Sequence, residues 1–253
     1  MSSTPVHSRP LIGAWINLAE PFIAEMAGRA GYDFVVLDAQ HGLISEHALL
    51  GMIQAIEASG AMTVVRAADA DPGRLGRLLD FGVDAVIVPM IKSLAHAKAV
   101  ARAGQYPPHG IRSYGPTRAS LRRDNYFRTA QEHVRILTMI ELSSVVPDIE
   151  AIAALPGVAG LFVGPSDLSI GLGLPPARDQ ADPVFIDALD RVVGACARHG
   201  KFAGIQGDLG VSAKRFQQGF NFVTVAMDSS DLKASFRESL RMARSQADSA
   251  HGR

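Results

Sequence analysis

The sequence predicts a single α/β domain folded as a (β/α)8 TIM barrel. Short apolar segments rich in branched residues alternate about eight times with segments of helical periodicity, as parallel barrel strands and their helices do. The chain has 253 residues with no shift in composition and no linker, so one domain over 1–253 accounts for its length. A doubly wound open sheet is the alternative. It is disfavoured because no G-x-G-x-x-G motif follows the first strand and no Walker loop occurs.

The first half of the chain contains four predicted strands, at residues 12–17, 34–37, 62–65 and 85–88. Each is followed by a helix. Pro21 and Pro72 suit the first turn of a helix, and Ser45 is a suitable N-cap for the helix through residue 58. A glycine ends each of these three helices, at Gly31, Gly60 and Gly82. The fourth helix spans about residues 93–104.

The second half contains four more predicted strands, at residues 134–140, 160–163, 202–205 and 222–226. Helical segments at 143–155, 184–199 and 208–218 separate them, and Ser230 or Asp231 begins the last helix. Two irregular pieces interrupt the pattern: QYPPHGIRSYGPTRAS after the fourth helix and GLGLPPARDQADP after the sixth strand. Loops of this length favour a functional or interface role over a tight connection.

The composition excludes several classes of function. Lys plus Arg and Asp plus Glu number 25 each, so no bulk field attracts nucleic acid or an anionic membrane. No apolar segment approaches the roughly 20 residues that span a bilayer, and MSSTPVHSRP lacks a secretory core. The single cysteine, Cys196, lies in an apolar helical pattern as a buried thiol, so we expect a cytoplasmic protein. We expect the termini, about 1–9 and 245–253, to be flexible.

Two carboxylates follow neighbouring strands in the middle of the chain. Glu141 is the first charge after the apolar run 134–140, and Asp167 follows strand 160–163 through Gly-Pro-Ser. A strand–helix–strand unit is a parallel crossover, so both side chains reach the same edge and can converge. Two oxygen ligands with open positions suit magnesium, manganese or a similar ion. The structural alternative makes Glu141 a first-turn acid and Asp167 a turn residue or N-cap.

Polar residues follow most of the other strands, and a barrel brings them to its C-terminal mouth, where barrel enzymes do their chemistry. They are Asp38 and His41 after the second strand, Arg66 after the third, Gln206 after the seventh and Asp228 after the eighth. This set suits enolate chemistry, in which Arg66 holds an anionic oxygen and His41 moves protons, its tautomer fixed by a carboxylate. The structural interpretation makes His41 a surface histidine and Arg66 half of a surface ion pair.

Lys92, after the fourth strand, is the lysine that a Schiff-base mechanism would use. It lies beyond the Pro89-Met90 turn, which places it at the start of a surface helix rather than at the mouth. The sequence therefore favours a metal over a covalent imine.

Six segments resemble the class II, metal-dependent pyruvate aldolases of the HpcH/HpaI family. They are FVVLDAQHG, TVVRAADADP, VIVPMIKS, YPPHGIRSYG, ILTMIE and GLFVGPSDLSIGLG, and the resemblance extends from residue 12 to about residue 240. It implies a (β/α)8 barrel of the phosphoenolpyruvate/pyruvate-binding type, assembled as a homohexamer with its final helix exchanged between subunits. It also implies a divalent metal (Mg, Mn or Co) as cofactor, and a small oxo acid and an aldehyde as partners.

The resemblance also implies a role for each of five residues at the mouth. Glu141 and Asp167 correspond to the metal carboxylates of the family. Arg66 corresponds to the arginine that steadies the pyruvate carbonyl as it becomes an enolate. Asp38 and His41 correspond to the acid–base dyad, in which the histidine acts with a metal-bound water to take the proton from the C4 hydroxyl.

Substrate-binding positions follow from the same resemblance. The backbone amides of Ser166 and Asp167 anchor the pyruvate carboxylate. Met139 and Gln40 border the site but depart from the best-known members, which carry a glutamine and a glutamate there; we expect these changes to alter substrate preference and metal affinity more than reaction class. Three side chains of the long loop face either the aldehyde half or a neighbouring subunit, or simply order an interface loop: Arg112, Tyr114 and Arg118.

The expected activity is the reversible cleavage of 4-hydroxy-2-oxo acids to pyruvate and an aldehyde through a metal-stabilised pyruvate enolate. Two alternatives stay open. One is another metal-dependent enolate lyase or mutase, acting on phosphoenolpyruvate or an acyl thioester; the other is a barrel that binds an oxo acid without catalysis. The loops GIQGD and VAMDSSD lack a glycine-rich phosphate cradle, which disfavours phosphorylated substrates.

Overall fold

Eight parallel strands form a closed barrel in sequence order in the computed structural model, which describes residues 9–251. The strands are β1 (Leu11–Ile16), β2 (Phe34–Asp38), β3 (Met62–Arg66), β4 (Ala85–Val88), β5 (Arg135–Ile140), β6 (Val158–Val163), β7 (Phe202–Gln206) and β8 (Phe222–Met227). The predicted (β/α)8 barrel is confirmed. Residues 1–8 and 252–253, which belong to the tails expected to be flexible, lie outside the described part.

Helices alternate with the strands around the barrel. They are α1 (Pro21–Arg29), α2 (Glu46–Ser59), α3 (Pro72–Asp80), α4 (Leu94–Ala103), α5 (Ala119–Arg122), α6 (Tyr126–His133), α7 (Ile149–Ala153), α8 (Pro165–Gly171), α9 (Pro183–His199), α10 (Leu209–Gln218) and α11 (Asp228–His251). The predicted cap is present, since the Ser45 side chain accepts a hydrogen bond from the Ala48 N–H. The helix predicted at 143–155 is instead a 3-10 turn, Ser143–Asp148, continued by α7, with Pro147 inside the turn.

The barrel interior explains why its strands are almost continuously apolar. Side chains on one face of each strand pack against the helices, and those on the other face fill the interior. Aromatic rings dominate the interior, with Phe34 and Phe222 stacked at a centroid distance of 3.8 Å. A side chain on Gly13 would collide with the Phe34 ring, so the glycine leaves the space that the ring occupies. The interior is therefore a packed core, and small molecules reach only its ends.

The long segment between α4 and β5 lies at the N-terminal face of the barrel, opposite the mouth. Arg112 is buried and donates to Asp80, at the end of α3, with an Nη2–Oδ1 distance of 2.6 Å. Arg118 donates to Glu57, near the end of α2. Both contacts are at helix ends that lead into strand starts. These contacts, and the packing of Tyr114 against Tyr106 and Phe127, place the three side chains away from the mouth of the same chain, so a neighbouring subunit or an ordered interface loop remain as alternatives.

The last helix, α11, extends the chain to His251, so the described part of the C-terminal tail is helical. Nearly all of its residues are exposed to solvent, unlike those of the helices that cover the barrel. Within residues 9–251, none of the helices is both long enough and apolar enough to cross a bilayer. Cys196 is buried as predicted; its thiol is 3.1 Å from the Phe202 carbonyl oxygen, and burial raises its pKa to about 12.

Candidate active site

Asp38 and Arg66 form a buried ion pair at the ends of β2 and β3. The two residues are register partners, so adjacent strand ends bring them together. Arg66 donates to both carboxylate oxygens, with an Nε–Oδ1 distance of 2.9 Å and an Nη2–Oδ2 distance of 2.5 Å. Arg66 is 5% exposed and Asp38 is 2% exposed. This two-point contact fixes the plane of the guanidinium at the end of β3.

The Asp38 carboxylate also organises the chain around it. It accepts hydrogen bonds from the Trp15 indole N–H at 3.2 Å and from the backbone N–H groups of Gln40 and His41 at 3.0 and 3.1 Å. Although burial opposes ionisation, the hydrogen bonds and charge of Arg66, with the His41 N–H, hold the pKa of Asp38 below 3.8. The hydrogen bonds of Asp38 thus reach the backbone of His41 and orient Arg66 and the 39–41 turn.

Trp15 is a component of the site that the sequence interpretation missed. Its indole is buried on β1, donates to Asp38, and lies under the Arg66 guanidinium at 4.9 Å from the ring centroid. A cation above an indole face is attracted by the ring quadrupole. The available signal was a single tryptophan at the end of the first apolar strand.

Glu141 lies just beyond the end of β5 and is 1% exposed. One of its carboxylate oxygens accepts a hydrogen bond from the backbone N–H of Met90, which follows β4. Met90 has a φ of 56°, a left-handed conformation that is costly for a residue with a side chain. The turn after β4 therefore carries local strain and presents its N–H to Glu141. Met90 was another residue that the sequence interpretation assigned only to a turn.

Asp167 lies in the first turn of α8, directly after β6, and its side chain is exposed at the mouth. Burial raises the pKa of Glu141, and the negative charge of Asp167 raises it further, against the Met90 N–H and the charges of Arg66 and His41. The Glu141 carboxylate thus experiences the charges of Asp167, Arg66 and His41. Glu141 and Asp167 follow the paired strands β5 and β6, and their convergence on one cation stays a prediction.

Gly164, between β6 and α8, makes room for Glu141. A Cβ there would lie 3.1 Å from Glu141 Oε2 and 3.0 Å from Met139 Cε. Met139 itself is buried in the barrel interior, with its methyl end reaching this turn. The second oxygen of Glu141 thus occupies the space that a side chain at 164 would fill. Within residues 9–251, no cluster of three or more metal-ligating side chains occurs, so this site offers two carboxylates and no more.

The remaining predicted residues surround this centre. His41 is exposed at the rim, and Ser166 is half-buried beside Asp167. The side-chain oxygen of Gln40 is buried without a hydrogen-bond partner among the described residues. A buried acceptor of this kind is costly when left unpaired. Asp228 does not face the site: it accepts from the backbone N–H groups of Asn17 and Leu18, both at 2.9 Å, and so fastens the turn after β1.

A (β/α)8 barrel with two carboxylates, a buried guanidinium and an imidazole on one rim belongs to the large class of barrel enzymes that act at the C-terminal mouth. Comparison with known families makes this specific. The profile of the HpcH/HpaI aldolase/citrate lyase family matches residues 11–234, and the chain belongs to this family.

Two named relatives and a solved structure agree with this assignment. The chain is 37% identical to a hydroxypyruvate/pyruvate aldolase from Rhizorhabdus wittichii over 238 residues, covering 93% of this chain and 95% of the relative. It is 34% identical to a 4-hydroxy-2-oxovalerate aldolase from Rhodococcus jostii, covering 87% and 86%. A crystal structure of an HpcH/HpaI family protein from Burkholderia cenocepacia superposes with a TM-score of 0.85 at 31% identity, covering 93% and 95%. The chain is accordingly a carbon–carbon lyase of the aldolase type.

Proposed function

We propose that the protein reversibly cleaves 4-hydroxy-2-oxo acids to pyruvate and an aldehyde with the help of a divalent cation. The observation that carries the proposal is the arrangement at the mouth, where Glu141 and Asp167 follow the paired strands β5 and β6 and the Arg66 guanidinium is fixed by Asp38 at the end of β3. Two carboxylates suit a hard cation, and a guanidinium suits the oxygen on which negative charge develops. Relatives named for hydroxypyruvate, pyruvate and 4-hydroxy-2-oxovalerate support an oxo-acid substrate.

The residues present fit a divalent cation. Asp167 accepts no hydrogen bond from a described residue, and Glu141 Oε2 faces the space beside Gly164 rather than a donor. Burial raises the pKa of Glu141 and the charge of Asp167 adds to this, and a bound cation would offset both effects. With two protein ligands, further positions remain for substrate oxygens and water. When bound, Mg, Mn or Co supplies Lewis acidity that polarises the 2-oxo group.

The chain's own residues account for the proton and electron movements. The imidazole of His41 accepts the proton from the C4 hydroxyl of the substrate. The C3–C4 bond then breaks, C4 leaves as the aldehyde carbonyl, and the electron pair moves through C3 to the 2-oxo oxygen. The Arg66 guanidinium, held by Asp38, stabilises the negative charge on that oxygen. A proton returned to C3 completes pyruvate, so the reaction needs no oxidant or reductant.

The substrate carboxylate and the residues lining the pocket are also part of the proposal. The backbone amides of Ser166 and Asp167, at the start of α8, bind the carboxylate of pyruvate, and Gln40 lines the pocket beside His41. Met139 closes the apolar floor beneath the methyl carbon. The acid–base partnership of Asp38 with the His41 ring stays a prediction, as do the homohexamer and the cytoplasmic location.

Two measurements test the metal site. We expect Glu141→Gln and Asp167→Asn to lose bound Mn²⁺ after dialysis and to lose pyruvate release, with unchanged circular dichroism. Asp190→Asn, on the exposed face of α9, removes a carboxylate elsewhere and serves as the control. Chelation should abolish turnover of the wild-type enzyme, and Mg²⁺, Mn²⁺ or Co²⁺ should restore it. Retention of both metal and activity by either site variant would refute the assignment.

The substrate class is tested separately with a panel of candidate compounds. We expect pyruvate release from 4-hydroxy-2-oxo acids. We expect no turnover of phosphoenolpyruvate or of an acyl thioester. Turnover of a phosphorylated or thioester substrate alone would favour the enolate lyase or mutase alternative. Binding of oxo acids without turnover, at any metal concentration, would favour a non-catalytic barrel.

A further inference from the structure

Arg178 belongs to the loop between α8 and α9 and reaches over the rim at β7 and β8. Its Nη1 donates to Asp208 Oδ2 at 3.0 Å, just after β7, and its Nη2 lies 3.7 Å from the Met227 sulfur, at the end of β8. Met227 packs against the barrel interior, and its register partner on β1 is Trp15. The Arg178 guanidinium is therefore at the mouth, one side chain away from the indole.

The two guanidiniums of the mouth lie on different sides of it. Arg66 rises from β3 and lies over the Trp15 ring at 4.9 Å, whereas Arg178 approaches the same indole from β8 through Met227. The carboxylates that would hold the metal follow β5 and β6. In the proposed reaction, Arg66 and those carboxylates bind the pyruvate half of the substrate, which leaves the rim at β7 and β8, where Arg178 lies, for the aldehyde half.

Hydrogen bonds from α8 and α10 hold the backbone of the loop that carries Arg178. The buried side chain of Arg215, on α10, donates to the Arg178 carbonyl oxygen at 3.0 Å and to the Asp179 carboxylate at 2.7 Å. Ser169 Oγ, on α8, is 3.4 Å from the Ala177 carbonyl oxygen. These contacts fix the backbone on both sides of Arg178, so only its side chain has to move when a ligand binds.

The present partner of Arg178 can be exchanged. The Arg178 and Asp208 side chains are 31% and 41% exposed, and an ion pair this accessible to water contributes little. Asp208 has a second task, since its Oδ1 accepts from the Gly210 N–H at 2.8 Å and caps α10. Release of Arg178 therefore leaves Asp208 in place, while the guanidinium gains a bidentate contact with a planar carboxylate.

We propose that Arg178 binds a carboxylate on the aldehyde half of the substrate, so that the enzyme selects aldehydes bearing an acid group over neutral aldehydes of equal length. The inference rests on the proposed aldol reaction and names its acceptor class. In the condensation direction, C3 of pyruvate loses a proton, a C3–C4 bond forms, and the aldehyde oxygen takes up a proton. Arg178 takes no part in these steps; it positions the acceptor.

The test compares two matched pairs of aldehydes in condensation with pyruvate. Glyoxylate and glycolaldehyde form the two-carbon pair, and succinic semialdehyde and butanal form the four-carbon pair. The measured quantity is the ratio of kcat/KM for the acidic member to that for the neutral member, from chromatographic quantification of the aldol product. We expect the wild-type ratio to exceed one in at least one pair. Arg178→Gln should lower that ratio about tenfold to a hundredfold, the usual effect of losing a charged hydrogen bond.

Three further variants separate binding from a loop-fastening role. Asp208→Asn breaks the same ion pair but keeps Arg178 and a good helix cap, so it should keep or raise the ratio. Arg178→Lys retains the positive charge but loses the planar guanidinium that can bind a carboxylate through two N–H groups, so it should give an intermediate ratio. Arg191→Gln, which removes an exposed arginine from α9, should leave the ratio unchanged. Equal effects of Arg178→Gln and Asp208→Asn would mean that Arg178 only fastens the loop.

The outcomes also distinguish this inference from the proposed reaction. If the wild-type enzyme condenses none of the four aldehydes with pyruvate, the proposed function fails. If it condenses them but Arg178→Gln and Arg178→Lys keep the wild-type ratio in both pairs, the aldolase stands and this inference is overturned.

Discussion

The Asp38 carboxylate holds together three parts of the chain, and its effect on the site depends on charge as well as on position. It bonds the Arg66 side chain, the Trp15 indole and the 39–41 turn that carries His41. Because both charges of the pair are buried, loss of one leaves the other without compensation in a medium of low dielectric constant. Asp38 thus stabilises the fold and sets the direction of the guanidinium through the same contacts.

We expect Asp38→Asn to lower the free energy of unfolding by about 3–5 kcal/mol at pH 7, since it strands the buried Arg66 charge. The pKa of Asp38 is depressed, so its contribution is present above the unfolded value near 3.8 and is lost as pH falls through the lower folded value. In Asp38→Asn, this loss of stability at acid pH should be absent. Urea denaturation from pH 7 down to acid pH measures both effects.

A matched control removes an exposed pair. Asp69→Asn breaks the pair between Arg74 and Asp69, whose side chains are 65% and 48% exposed, and should cost less than about 1 kcal/mol. Equal losses in the Asp38 and Asp69 variants would contradict the role given to the buried pair.

Lys92 provides a second prediction for a single residue. Its side chain is exposed, and its backbone N–H donates to His96 at 3.2 Å at the start of α4. We expect Lys92→Met to keep wild-type kcat/KM, and borohydride with pyruvate to leave the mass of the wild-type protein unchanged. A covalent adduct detected on Lys92 by mass spectrometry would replace the metal mechanism with an imine.

The sequence predicted the strands better than the short helices and the long-range contacts of the site. Buried parallel strands are apolar runs that end at the first polar residue, and this rule located β4 at 85–88 and placed Glu141 and Asp167 beyond β5 and β6. Short helices such as α5 and α8 depend on tertiary contacts rather than on periodicity, and neither was predicted. The contacts of Asp38 with Trp15 and of Glu141 with the Met90 N–H depend on barrel closure and backbone conformation, which residue spacing does not encode.

The turn from β6 to α8 allows a prediction about metal affinity. A methyl group at residue 164 would lie 3.1 Å from Glu141 Oε2, so Gly164→Ala should shift that oxygen and weaken Mn²⁺ binding about tenfold. The backbone there has a φ of −94°, which alanine adopts easily, so the fold should persist. Gly76→Ala, with nothing within 4 Å of the added carbon, is the control. Calorimetric titration of Mn²⁺ into both variants measures the affinity. An unchanged affinity in Gly164→Ala would mean that this turn is not part of the metal site.

At the scale of the whole molecule, α11 differs from the helices that cover the barrel. Leu232, Phe236 and Leu240 are spaced four residues apart and form one face of α11, yet they are 38%, 70% and 52% exposed. Phe22 and Met26, also four apart, are exposed on α1, which lies beside β1. An apolar helix face and an apolar site on the barrel, both left uncovered, are what an exchanged terminal helix requires.

We therefore expect the wild-type protein to form an assembly larger than a monomer. The family resemblance implies a homohexamer, so the expected mass is that of six subunits. The double variant Phe236→Asp/Leu240→Asp should shift it toward smaller species, because charges cannot be buried on the partner's barrel. Arg237→Gln changes the same helix without removing an apolar side chain, and it should keep the wild-type mass. Light scattering coupled to size exclusion measures the mass of each. A monomeric wild-type protein, or an unchanged mass in the double variant, would mean that α11 projects into solvent for another reason.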